Sequence, residues 1–432
     1  MSAGTKPILR AQLQNGLKIR LLENHTAPVA SCWIWYRVGS RNEQPGLTGI
    51  SHWVEHMQFK GTPAFPAGVL DRAMSLHGGT WNAMTWLDFT TYLATMPADH
   101  IDLVLRLEAD RMVNSLYDPE EVESERTVII SERQGRENQP TFRIEEQMQR
   151  AAFNVHSYRH EVIGDLADLQ SMSRDDLYAH YQRGYNPSNG VLAMAGDIDA
   201  QAMLRRIEEL YGQIPTGDPW NQSPSSEPPQ TEERRVEVQG PGETCFLKVA
   251  YHAPAGTDPD FLPLVVLDSM LSGASGLSLL GSALSNKTTR LYRALVEPGL
   301  AAGVGGGLWA TIDPYLYWFH ITLAPGQKVE KVLEAFDAEI TKILEYPVTH
   351  TEIEKAIKQA RALFAYDYET ITRQAFWLGF SEMFSDHTWV ERYLDRIHTI
   401  RPEDLLEAAR KHLIPENRIV GTYHPTGVGI HA

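Results

Sequence analysis

Two histidines four residues apart, with a glutamate between them, stand in Gly49-Ile50-Ser51-His52-Trp53-Val54-Glu55-His56-Met57-Gln58-Phe59-Lys60-Gly61-Thr62. The segment reads as one short helix. Residues four apart on a helix lie one above the other, so His52 and His56 can aim imidazole nitrogens at a single ion, and Glu55 projects from nearly the same face. Neutral imidazole suits zinc, and a carboxylate beside an open coordination position suits taking a proton from solvent. The chemistry is that of a metal site with its own base. The order His-x-x-Glu-His reverses the commoner His-Glu-x-x-His of zinc peptidases.

Two histidines are too few, because a hydrolytic zinc site takes three protein ligands and keeps one position open. The missing carboxylate is sought in the stretch 119–133, Pro-Glu-Glu-Val-Glu-Ser-Glu-Arg-Thr-Val-Ile-Ile-Ser-Glu-Arg. Asp118 is placed to cap this helix, and Pro119 suits its first position. Glu125 and Glu132 are seven apart, two turns along one face. Val122, Ile129 and Ile130 give the helix a side to bury, so a glutamate at its edge would favour a positive partner.

With these blocks in view, the chain resembles the inverted-zincin peptidases of the pitrilysin family, the group that includes mitochondrial processing peptidase and insulin-degrading enzyme. The resemblance also takes in Gly78-Gly79-Thr80-Trp81-Asn82-Ala83-Met84-Thr85 with Asp88 and Tyr92, Ala109-Asp110-Arg111, His156-Ser157-Tyr158, Ile163-Gly164, and Tyr185-Asn186-Pro187-Ser188-Asn189 before Gly196-Asp197. It implies that His52, His56 and Glu132 are zinc ligands and that Glu55 is the catalytic base. It makes Glu125 a glutamate that orients a ligand or balances charge. It also implies peptide-backbone contacts at Asn82 and Ala83, on a segment whose small and polar residues could accept an added substrate strand. His156 and His160, four apart in a polar stretch, are expected to be loop residues.

One departure stands out. Active members of the family bring an arginine and a tyrosine to the zinc from their second half, and those places fall here on Val296 and Ala302. Neither side chain can donate to an oxyanion. The resemblance therefore implies a heterodimer, with a homologous partner subunit supplying Arg and Tyr. Substitution by Arg290, Tyr292 or Arg293 is the alternative within the chain. A non-proteolytic structural or core-type subunit of a larger assembly is the second function class. The intact His52, Glu55, His56 and Glu132 argue for a zinc metalloendopeptidase with one zinc per chain.

Composition bounds the remainder. A formal net charge of −16 disfavours nucleic acid as a partner, since phosphate-binding surfaces concentrate Lys and Arg. No apolar run approaches the length of a membrane span, and the N-terminus lacks a charged-then-apolar leader, so a cytoplasmic protein is expected. Cys32 and Cys245, the two cysteines, lie in separate apolar stretches and suggest thiols rather than a disulfide framework. The Gly-rich stretch 271–282 lacks the P-loop pattern and is expected to be a loop, as is the glycine run 303–307.

The chain also reads as a duplication. The strand-like segment 32–39 has a counterpart at 247–254, and the helix-like 101–108 has one at 329–336. The expected domains are residues 1–214 with the zinc site, a proline-rich linker at 215–235, and a homologous half at 236–432 without ligands. The fold class is α+β. Each half is expected to hold two similar α/β sandwich units, with mainly antiparallel sheets and helices on one side, and the halves to close as a clam-shell.

Overall fold

Apolar strands punctuated by glycine and proline build two sheets, and long amphipathic helices fill the stretches between them. The computed structural model describes residues 7–220, 224–274, 276–277, 287–346 and 348–427. In the first half of the sequence the strands are β1 (Leu9–Gln12), β2 (Lys18–Glu23), β3 (Val29–Tyr36), β4 (Thr80–Thr85), β5 (Thr90–Pro97) and β6 (Gly190–Gly196). The helices there are α1 (Ile50–Met57), α2 (Val69–Leu76), α3 (Ile101–Asn114), α4 (Pro119–Glu137), α5 (Pro140–Ala152), α6 (Leu166–Ser171), α7 (Arg174–Gly184) and α8 (Ala200–Tyr211).

In the second half the strands are β7 (Arg234–Gly240), β8 (Phe246–Ala253), β9 (Ala301–Gly307), β10 (Tyr315–Leu323) and β11 (Arg418–Pro425). Its helices are α9 (Phe261–Leu271), α10 (Val329–Glu345), α11 (His350–Asp367), α12 (Ile371–Phe384), α13 (His387–His398) and α14 (Pro402–His412). The Gly-rich loop expected at 271–282 begins at the end of α9; residues 275 and 278–282 lie outside the described residues. The glycine run 303–307 is not a loop. It belongs to strand β9, at the edge of its sheet.

The duplication is visible in the topology. The six-stranded sheet runs β1-β2-β6-β3-β5-β4 and the five-stranded sheet β7-β11-β8-β10-β9. Leaving β1 aside, the two orders correspond strand for strand. In each, one outer pair is parallel, β2 with β6 and β7 with β11, and the other neighbours are antiparallel. The expected two sandwich units per half are corrected by this count: each half contributes one sheet. Among the described residues, some 200 in each half supply five or six strands and the helices that cover them, and no second sheet.

The chain divides into two compact units, and each contains a helix from the other half of the sequence. The first comprises residues 1–134, 160–225 and 368–390; the second comprises 135–159, 226–367 and 391–432. Helix α12 therefore covers β3, β6 and β2, while its counterpart α5 covers β7, β11 and β8. Phe376 of α12 sets its ring edge against Trp33 and Trp35 at 5.3 and 5.4 Å. The close approach depends on Gly379, where a Cβ would lie 2.0 Å from Trp35 Nε1.

The opposite face of β3 meets α3, with Cys32 and Tyr36 in the field of Glu108 and Arg111. Helices thus cover both faces of this sheet. That is why β3 is buried along nearly its whole length instead of alternating. Cys32 is buried and Cys245 half-buried, both as free thiols.

Candidate metal centre

Helix α1 owes its placement to its apolar side. Ile50, Trp53, Val54 and Met57 are buried, which turns His52 and His56 together toward α4. Gly49 precedes it at φ 88°, a left-handed conformation suited to glycine. Helix α4 begins as its sequence indicates: Asp118 Oδ1 accepts the Glu120 N–H at 2.8 Å, and Pro119 occupies the first position. Val122 and Ile129 are buried, Ile130 partly so. Arg126 of α4 stacks on Trp53 of α1, its guanidinium carbon 4.6 Å from the ring centre. The two ligand-bearing helices are packed against each other.

Three donor atoms converge at this junction. His52 Nε2 and His56 Nε2 lie 3.2 Å apart, and Glu132 Oε2 lies 3.7 Å from the first and 3.8 Å from the second. Among the described residues this is the group able to hold a metal ion. Tetrahedral zinc with ligands at about 2.0–2.2 Å needs donor atoms separated by roughly 3.3–3.5 Å. The observed separations agree to within a few tenths of an ångström. Two imidazoles and a carboxylate are also the donor chemistry of a hydrolytic zinc site with an open position. The residues fit the ion.

The surroundings hold these groups in the required state. Glu125 Oε1 takes a hydrogen bond from His56 Nδ1 at 2.7 Å, which leaves Nε2 for a metal. Lys60 reaches the other Glu125 oxygen at 2.5 Å and Glu121 at 3.2 Å. The hydrogen bond to His56, reinforced by Lys60 against the opposing effect of burial, lowers the Glu125 carboxyl pKa to about 2. Burial pulls His56 downward, but Glu125, Glu55 and Glu132 outweigh it and raise its pKa. The carboxylates around His56 thus favour positive charge at this point.

Glu55 is 8% exposed, and its pKa is raised chiefly by burial. Thr85 Oγ1 donates to its Oε2 at 3.1 Å. Glu55, His56 and Glu125 line a cavity of about 410 Å³ together with Asn82, Phe59 and Lys60. Asn82 and Ala83 lie on β4, an edge strand of the six-stranded sheet. The Asn82 side chain accepts the Ala83 N–H at 2.9 Å.

His156 and His160 are loop residues in backbone but are buried, and each faces a carboxylate: His156 Asp313 at 3.1 Å and His160 Glu43 at 2.7 Å. Val296 closes a short π-helical turn, Tyr292–Val296, and Ala302 lies in β9. Arg290 is engaged by Glu352 of α11 through Nε and Nη2 at 3.1 and 2.8 Å. Lys60 and Thr85 belong to the site without having been singled out beforehand. The one signal for Lys60 is its spacing of four from His56, and Thr85 lies within the block beginning at Gly78.

The chain is similar to known peptidases in both sequence and fold. The model of "Insulinase (Peptidase family M16)" matches residues 18–166, and that of "Peptidase M16 inactive domain" matches residues 171–360. An uncharacterised zinc protease of Streptomyces coelicolor is 26% identical over 418 residues, 94% of this chain and 87% of its own. The probable mitochondrial-processing peptidase subunit beta of Arabidopsis thaliana is 29% identical over 264 residues, 60% of this chain and 49% of its own. The crystal structure of a protease from Helicobacter pylori superposes with a TM-score of 0.89 at 23% identity, covering 97% of this chain and all of that one. The chain belongs to peptidase family M16, the insulinase or pitrilysin family.

Proposed function

We propose that this chain is the metal-bearing subunit of a zinc-dependent endopeptidase that hydrolyses unstructured peptides. The observation that carries the reading is the convergence of His52, His56 and Glu132 beside the buried carboxylate of Glu55. Zinc held there supplies Lewis acidity and lowers the pKa of solvent at its open position.

The chain's own residues account for the remainder. Thr85 holds one oxygen of Glu55, leaving the other to take a proton from solvent. Burial strengthens Glu55 as a base, and the proton it accepts is available to the leaving amine. Glu125 and Lys60 keep His56 oriented. Asn82, on the edge strand and in the same cavity, supports docking of peptide as an added β-strand. Recognition through backbone groups tolerates many sequences but requires an extended chain, which favours unstructured peptides.

The positions of the family's second-half arginine and tyrosine are Val296 and Ala302 in this sequence. We place those two functions on a homologous partner subunit, in a heterodimer whose pieces enclose the substrate. The match of residues 171–360 to an inactive peptidase domain supports one zinc per chain.

Replacing Glu55 by Gln tests the reading. Zinc content, measured by elemental analysis, stays at that of the unaltered protein, and hydrolysis of a quenched fluorescent peptide by the assembled enzyme falls by roughly 10²-fold or more. A Glu55→Gln variant that cleaves at the unaltered rate removes Glu55 from the role of base.

A further inference from the structure

The metal ligands come from two helices distant in sequence, so something must set α1 against α4 to within a fraction of an ångström. Segment 160–172, which includes the Ile163-Gly164 pair, touches both. On the α1 side, the fully buried Glu43 carboxylate accepts the N–H groups of Gly49 and Ser51 at 2.8 and 2.9 Å and meets His160 Nε2 at 2.7 Å. These are the N-cap N–H and a first-turn N–H of the metal-bearing helix, which has no side-chain cap from its own N-cap residue.

Thr48 completes the junction. Its N–H and hydroxyl both reach Asp168 Oδ2, at 3.0 and 2.6 Å, and its hydroxyl oxygen accepts the Asp165 N–H at 2.8 Å. Gly49 and Gly164 lie backbone against backbone. A Cβ on Gly164 would come 2.2 Å from Thr48 O, and one on Gly49 would come 2.5 Å from Ile163 O.

On the α4 side, the arginine that follows each important glutamate binds the same segment. Arg133, next to Glu132, donates to Gly164 O at 2.6 Å, and Arg126, next to Glu125, donates to Met172 O at 2.8 Å. Glutamates and arginines leave the helix about 100° apart, so α4 faces the metal with one row and grips the segment with the other. Gly164 is thus held from one side by Arg133 and packed on the other against the start of α1.

We propose that segment 160–172, keyed by the Glu43–His160 pair, is a brace that sets the spacing of the zinc ligands, making Glu43 and His160 positioning residues for the metal centre. The inference rests on the metal-centre reading above. Loss of an outer partner of a metal ligand weakens metal binding by roughly 10–100-fold, and loss of the brace acts in the same way on two ligands at once.

The experiment measures zinc affinity by chelator competition, the visible spectrum of the cobalt-substituted protein, and the thermal midpoint, all on the full chain. Glu43→Gln and His160→Ala are each expected to weaken zinc by roughly 10-fold or more and to change the cobalt spectrum. His160→Gln, which keeps a donor toward Glu43, is expected to recover most of the affinity. Glu382→Gln removes an equally buried carboxylate of the same unit, remote in sequence from the ligands. It is expected to lower the thermal midpoint with zinc affinity and cobalt spectrum unchanged.

If Glu43→Gln and His160→Ala bind zinc as tightly as the unaltered chain, the brace is wrong and the metal centre stands. The brace is also wrong if Glu382→Gln weakens zinc as they do, since general destabilisation then explains the loss. Should the unaltered chain bind no zinc, the metal centre fails and the brace with it.

Discussion

Glu125 and Glu132 show what residue spacing can and cannot tell. Seven apart on a helix they share a face, so periodicity makes both candidates for an ion but cannot choose between them. Their position along α4 relative to α1 decides: Glu132 reaches both histidine Nε2 atoms, whereas Glu125 meets the far nitrogen of His56. Different losses follow. In the proposed zinc centre Glu132→Gln removes a direct ligand, so zinc should be lost on dialysis. Glu125→Gln leaves three ligands and loosens one, so zinc should survive dialysis yet yield to a chelator, with affinity down roughly 10–100-fold. Elemental analysis before and after each treatment checks both, and equal behaviour of the two variants would undo the assignment. His52, Glu55 and His56 were legible because one short helix brings them together. Lys60, Thr85 and Glu43 were not, since each acts on a partner brought to it by turns or by tertiary packing.

At the scale of elements, strands and helices follow from apolar pattern, while the sheet that each helix covers does not. Helix α5 shows an apolar face and α12 is buried nearly all round, surfaces equally suited to either copy of a duplicated sheet, so the exchange between units leaves no local trace. Polar anchors make it visible in the structure. Glu382 of α12 is fully buried, with Arg20 Nη2 at 2.5 Å and Lys18 Nζ at 2.7 Å from its oxygens. Burial alone would raise its pKa, but Lys18 and Arg20 overcome this and lower it below the usual carboxylate value. A depressed folded pKa contributes stability above the unfolded value of about 4.3, lost as pH falls through the folded value. Glu382→Gln leaves Arg20 buried without its charge partner, and the expected cost is about 3–5 kcal/mol at neutral pH. The difference from the unaltered protein in urea unfolding should shrink steadily below about pH 4.3. A pH-independent difference would mean that packing around α12, not its charge, is responsible.

For the whole molecule, the question is whether one chain suffices. The candidate ligands and Glu55 lie in one unit, and on α11 of the duplicated half Ala356 and Leu363 answer to Glu125 and Glu132 when the helices are aligned through Val122 and Ile353. In the function proposed above the first half activates solvent, while the resemblance puts the places of the family's oxyanion donors on Val296 and Ala302. Losing one such donor costs about 10²–10³ in kcat, so a chain working alone should hydrolyse peptides slowly while holding a full complement of zinc. Adding a homologous subunit that retains the arginine and tyrosine should raise kcat by at least that factor, with saturation at one partner per chain. A partner altered at its tyrosine should bind equally well and restore little. Steady-state assays of the chain alone, with the partner and with the altered partner separate these cases. If the purified single chain turns over peptide as fast as the mixture, the oxyanion is stabilised from within, and Arg290, Tyr292 and Arg293 become the residues to replace.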